Sequence, residues 1–111
     1  MNTDKLSTGG APADPPVATS YEADGMEGEP IYMDGSSLHV NGTNLADAIK
    51  IVFRYTEDGE PFYEAYPTEV TDTVVDCGSL GYSDEVEHEN GYLSVVTPNG
   101  ESNKIPCTFA V

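Results

Sequence analysis

The chain reads as an all-β protein, a small antiparallel sandwich preceded by an extended N-terminal arm, and three observations predict this. Apolar residues recur with period two rather than 3.6. Turn-forming residues punctuate the chain between those runs. A length of 111 residues with 38% apolar content supplies one modest core and no second.

Residues 1–29 carry Gly, Pro, Ala, Ser, Thr and acids, with Leu6, Val17, Tyr21 and Met26 as isolated larger side chains. So little apolar surface cannot offset the entropy of ordering. This arm is therefore expected to be disordered in the isolated chain and to lie extended across a neighbouring subunit, which those four side chains would touch. The sandwich is expected over residues 30–111. Leu38 and Val40 alternate before Gly42, and Ile49, Ile51 and Phe53 alternate around Lys50, Val52 and Arg54, which are placed outside. The stretch NLADAIKIVF also fits a helical face through Ile49, Val52 and Phe53, and its β-branched content decides for strand. Leu93 alternates with Val95, and Ile105, Cys107, Phe109 and Val111 close the chain. Breakers fall between the runs at Asp34-Gly35, Asn41-Gly42, Asp58-Gly59, Pro67, Gly78, Asn90-Gly91 and Pro98-Asn99-Gly100. Their spacing suits a seven-stranded or near seven-stranded sandwich with Leu38, Val40, Ile51, Phe53, Leu93, Val95, Cys107 and Phe109 turned inward.

Four Lys plus Arg against twenty Asp plus Glu give a formal charge of −16 at pH 7. That field repels phosphate backbones and anionic lipid, so nucleic acid and membrane surfaces are not expected as partners. Basic protein surfaces, cations and neutral glycans are the compatible classes. No apolar run approaches the roughly 18 residues of a membrane helix, and the opening MNTDKLSTGGAPADPP lacks the apolar segment of a secretory signal. Cys77 and Cys107 stand thirty residues apart with no CxxC and no adjacent histidine. Because Cys107 is in phase with Ile105 and Phe109, two buried free thiols are favoured over a disulfide.

Catalytic chemistry is not visible. His39 and His88 lack consistent carboxylate or cysteine spacing, and His39 sits opposite Leu38 and Val40 on the solvent side of its strand. No serine occupies a GxSxG turn, and no glycine-rich phosphate loop occurs. The chain is read as a non-enzyme without a cofactor. Glu57, Asp58 and Glu60 offer hard oxygens to Ca²⁺ but lack the alternating ladder that converges several of them, so the loop is read as a solvated face. The remaining candidate is the aromatic cluster Tyr55, Phe62, Tyr63 and Tyr66 around an acidic turn. Two readings stand: a patch for sugars or proteins, or a core cap made by Phe62 and one tyrosine.

The pieces SSLHVNGTNLADAIKIVF, EVTDTVVDC and GYLSVVTPNGESNKIPCTFAV occur in an order that resembles the IPT/TIG domain. This immunoglobulin-like module is shared by plexins, some transcription factors and many bacterial and phage surface proteins. Leu38, Val40, Gly42, Thr43, Asn44 and Leu45 look like its first strand and turn. Leu93, Val95, Thr97, Pro98, Asn99, Gly100, Ser102, Asn103, Phe109 and Val111 look like its final hairpin and strand. The likeness spans residues 30–111 and implies an immunoglobulin-like antiparallel β-sandwich, a scaffold without catalytic chemistry. Two functions are compatible. The first is a structural accessory protein of a particle, a phage capsid decoration or head-fibre protein located on the virion and partnered by capsid subunits. The second is a carbohydrate- or protein-binding adhesive module of a bacterial cell surface. A DNA-binding role, known for some members, conflicts with the charge.

Overall fold

A computed structural model describes residues 14–110; Leu6 and Val111 lie outside them. The strands in chain order are β1 Val17–Ala23, β2 Met26–Glu27, β3 Ser37–Thr43, β4 Lys50–Arg54, β5 Tyr63–Ala65, β6 Glu69–Val70, β7 Val74–Ser79, β8 Asn90–Thr97, β9 Gly100–Glu101 and β10 Ile105–Thr108. No helix occurs among the described residues. One sheet runs β2-β1-β3-β7-β6 and the other β10-β8-β4-β5, with β9 joined to β8. All pairings between these strands are antiparallel. Without β2, β5 and β9, four strands face three, β1-β3-β7-β6 against β10-β8-β4, which is the constant-type order of the immunoglobulin fold.

All eight residues expected inward are buried: Leu38, Val40, Ile51, Phe53, Leu93, Val95, Cys107 and Phe109. The alternation in β4 is less clean than its sequence suggests. Val52 faces away from the core yet is 3% exposed, whereas Ile49 precedes the strand and is 48% exposed. Asp47 at φ 63° ends the preceding turn, so the extended run starts only at Lys50. NLADAIKIVF thus divides into a turn and a strand.

The expected arm is corrected by the structure. Residues 17–27 are intrinsic to the sandwich: β1 pairs with β3 from Val17↔Thr43 to Ala23↔Leu38, and Ala18, Tyr21 and Ala23 join the core. The boundary at residue 29 therefore does not separate an arm from a domain. The order attributed to a neighbour is intramolecular, because the backbone of β1 satisfies itself on β3 while three of its side chains leave water. Asp24 (φ 55°) and Gly25 (φ 83°) form the tight reversal into β2. The Asp24 carboxylate accepts from the Ser37 N–H at 3.0 Å and the Ser36 hydroxyl at 2.8 Å, and these bonds hold its pKa below the usual carboxylate value.

Several of the expected breakers lie inside strands, and for two of them a close contact explains why. Gly42 lies in β3, where a Cβ would meet the Val17 carbonyl oxygen at 1.9 Å. Gly91 lies in β8 beneath Phe109 and the Arg54 carbonyl, whose nearest atoms would sit 2.5 and 2.3 Å from a Cβ. Glycine is required at both for close approach.

The C-terminal hairpin closes the sandwich. Its two-residue loop is Pro98-Asn99, flanked by Gly100 at φ 120°, and the Asn99 N–H donates to Thr97 Oγ1 at 3.0 Å. Ser102 Oγ then accepts from the Val95 N–H at 2.9 Å. The Asn103 amide clamps Ala18: its Nδ2 donates to the Ala18 carbonyl and its Oδ1 accepts from the Ala18 N–H, both at 2.9 Å. Further along, Ile31 forms a parallel bridge to Phe109, and the Tyr21 hydroxyl accepts from the Thr108 N–H at 3.3 Å. Pro106, which has no N–H, blunts the same edge strand. Asn103→Ala is expected to lower stability by about 2 kcal/mol, because it strands a buried backbone donor and acceptor. A lower urea midpoint at constant m checks this.

Cys77 and Cys107 are free and buried, as expected. Burial pushes both thiols up to about 12, with the Asp76 charge adding to the effect at Cys77. Neither should react with an aromatic disulfide reagent at pH 8 in the native protein, and both should react at once in denaturant. Rapid native labelling would contradict this burial.

Candidate functional site

The aromatic residues around the β4–β5 turn divide between core and surface. Tyr55 and Phe62 stack with centroids 4.0 Å apart and planes 3° apart, and Phe109 meets both edge-on at 6.0 and 5.4 Å. Tyr63 lies 5.8 Å from Phe53 and 5.3 Å from Tyr82. Tyr55, Phe62 and Tyr63 are half-buried and pack on the hydrophobic core. They cap one end of the sandwich, while Tyr66 is 64% exposed and donates its hydroxyl to Glu64. Of the other candidate contact residues, Val17 and Met26 are exposed and Tyr21 is buried in the core.

Among the described residues, no three His, Cys, Asp or Glu side chains converge to hold a metal. Glu57, Asp58 and Glu60 are exposed on the β4–β5 turn. The Gly59 carbonyl there accepts from Arg54 Nε at 2.9 Å.

The two outer sheet faces differ in charge. On the β10-β8-β4-β5 sheet, Lys50 pairs with Glu64 at 2.9 Å and Arg54 with Glu101 at 2.6 Å. Glu64 is held low mainly by the Lys50 hydrogen bond, and Lys50 is raised by the same bond. Burial pushes Glu101 up, but the Ser94 hydroxyl and the Arg54 guanidinium outweigh it and keep the carboxyl below its usual value. The face is close to neutral because its carboxylates meet cations.

The opposite face has no such compensation among the described residues. Cross-strand register sets Glu27, Glu22, His39, Asp76 and Glu69 side by side across β2, β1, β3, β7 and β6. The row crosses four strand spacings, about 19 Å. His39 is its only basic residue, with Nε2 3.4 Å from Asp76 Oδ2. Neighbouring carboxylates in such a row repel one another and gain when a cation is placed over them. Carboxylates also line an open cleft of about 850 Å³, bounded by Tyr32, Asp34, Tyr82, Asp84 and Glu85. Sequence reasoning found the charge but missed the row, because the register that aligns Glu22 with His39 depends on β1 being a strand.

No protein-family model matches the chain, and no curated protein matches it.

Proposed function

We propose that this chain is a non-enzymatic structural accessory protein of a particle, a capsid decoration of the phage type, which docks its acidic β2-β1-β3-β7-β6 face on a basic subunit surface. The observation that carries this reading is the five-residue row from Glu27 to Glu69, with four carboxylates and one histidine on a sheet face that no Lys or Arg of the described residues pairs. The resemblance of residues 30–111 to IPT/TIG modules, which occur in phage surface proteins, adds to it. Localisation on the virion and partnership with capsid subunits belong to the same proposal. The immunoglobulin-like fold supports a displayed scaffold whose role is set by its surfaces.

The test is occupancy on purified capsids of the phage that encodes the chain, read after size-exclusion chromatography. Wild-type occupancy should fall as salt rises from low to physiological strength. A Glu22→Lys, Asp76→Lys double variant should fall about tenfold or more in affinity while keeping its melting temperature within a few degrees. Equal occupancy of the variant and wild type would refute docking through this face.

A further inference from the structure

A second cleft differs in chemistry from everything around it. It lies beside β10, has a volume of about 560 Å³, and is lined by Tyr21, Tyr55, Tyr92, Asn90, Pro106 and Thr108 together with backbone of Gly28 and Gly91 and the buried Cys107. In a chain with 20 acidic residues, none of the lining residues is Asp, Glu, Lys, Arg or His. Burial keeps the Cys107 thiol neutral, at about 12. The volume falls within the roughly 300–1,000 Å³ usual for small-molecule clefts.

The polar groups in this cleft are under-used. Among the described residues, the side chains of Asn90, Thr108 and Tyr92 make no hydrogen bond. The Tyr21 hydroxyl accepts from the Thr108 N–H and the Tyr55 hydroxyl from the Glu87 N–H at 3.0 Å, so each phenol keeps its own proton to donate. Tyr55 is held in place by its stacking on Phe62. Pro106 and Tyr92 are cross-strand partners, half-buried or exposed on the outer face of their sheet, so that two apolar rings stand side by side there.

Charge decides which ligand fits. An anion is repelled by the net charge of −16. A cation would lose water here without meeting a carboxylate, whereas the acidic row and the acid-lined cleft offer several. A neutral polyol has the remaining combination, a C–H face for the two rings and hydroxyls for the amide, the threonine and the phenols. We propose that this cleft binds a short neutral oligosaccharide. Its C–H face rests on Tyr92 and Pro106, and its hydroxyls bond to Asn90, Thr108 and the phenols. This site stands apart from the acidic docking face and does not depend on it.

The experiment uses the full ¹⁵N-labelled chain titrated to millimolar concentration with maltohexaose, cellohexaose and chitohexaose in turn. At least one should move the amides of Asn90, Gly91, Tyr92, Cys107 and Thr108 along a saturating curve. Tyr92→Ala should weaken that binding about tenfold or more. Asn90→Ala, at an exposed residue, should weaken it without changing the melting temperature. Octalysine should move the amides of Glu22, His39 and Asp76 and leave the cleft unchanged. No saturable change with any of the three sugars, changes centred elsewhere, or affinity retained in both variants would overturn the assignment.

Discussion

A chain beginning at Glu29 is expected to be unfolded. Removing β1 takes Ala18, Tyr21 and Ala23 out of the core and ends the ladder from Val17↔Thr43 to Ala23↔Leu38. It also uncovers Leu38 and Val40 on the new edge strand β3 and abolishes the Asn103 clamp and the Tyr21–Thr108 bond. Burial of one large side chain is worth about 1.5–3 kcal/mol. The lost clamp and the newly exposed apolar surface add at least as much again. Together they reach the roughly 5 kcal/mol at the lower end of domain stability. Circular dichroism of the truncated chain should show no cooperative melt, and a synthetic peptide of residues 14–28 added in excess should restore one. A cooperative melt without the peptide would mean that the core closes without β1.

The second large effect is expected from Val95→Asp. Val95 is fully buried at the centre of β8, pairs with Ile51 of β4, and donates its N–H to Ser102 Oγ. No cation is placed to meet a carboxylate there, since Lys50 and Arg54 stand on the outer face with partners of their own. An unpaired buried carboxylate, or its protonated form with an unmet hydroxyl, costs about 5 kcal/mol or more. Val95→Ala should lose only about 2 kcal/mol and still fold. If thermal denaturation of Val95→Asp matched that of Val95→Ala, the inward register of β8 would be wrong.

Much of the sandwich was legible because the inward residues of β3, β8 and β10 recur at every second position, although Ser94 is buried as well in β8. β1 was not, for two physical reasons. Its inward residues are mostly small, and a register shift between Ala18 and Ser20 puts Ala18, Tyr21 and Ala23 inside, breaking the period of two. A local signal did exist. Asp24-Gly25 between Ala23 and Met26 is a strong hairpin dipeptide, and the Gly- and Pro-rich composition around it masks that signal. Gly42 and Gly91 show the converse, since a glycine read as a turn can instead be the place where a neighbouring backbone or ring comes too close for a side chain. The exposure of Tyr55, Phe62 and Tyr63 depends on which residues of the β7–β8 loop cover them, and a local sequence pattern holds no such information.

The Asn103 clamp has a consequence for how the chain comes into being. It joins residues 85 positions apart, and the Tyr21–Thr108 bond joins residues 87 apart. Contacts of such separation close late, because the loop entropy is lost before they form. During synthesis β1 therefore has β3 to pair with early, but the cover over its inner side is incomplete until Asn103 to Phe109 have left the ribosome. The half-made sandwich must wait with part of its core, Tyr21 included, still open. In that interval its protection against association is the acidic charge, which the unfolded chain already carries and which acts between nascent chains as it does between finished ones.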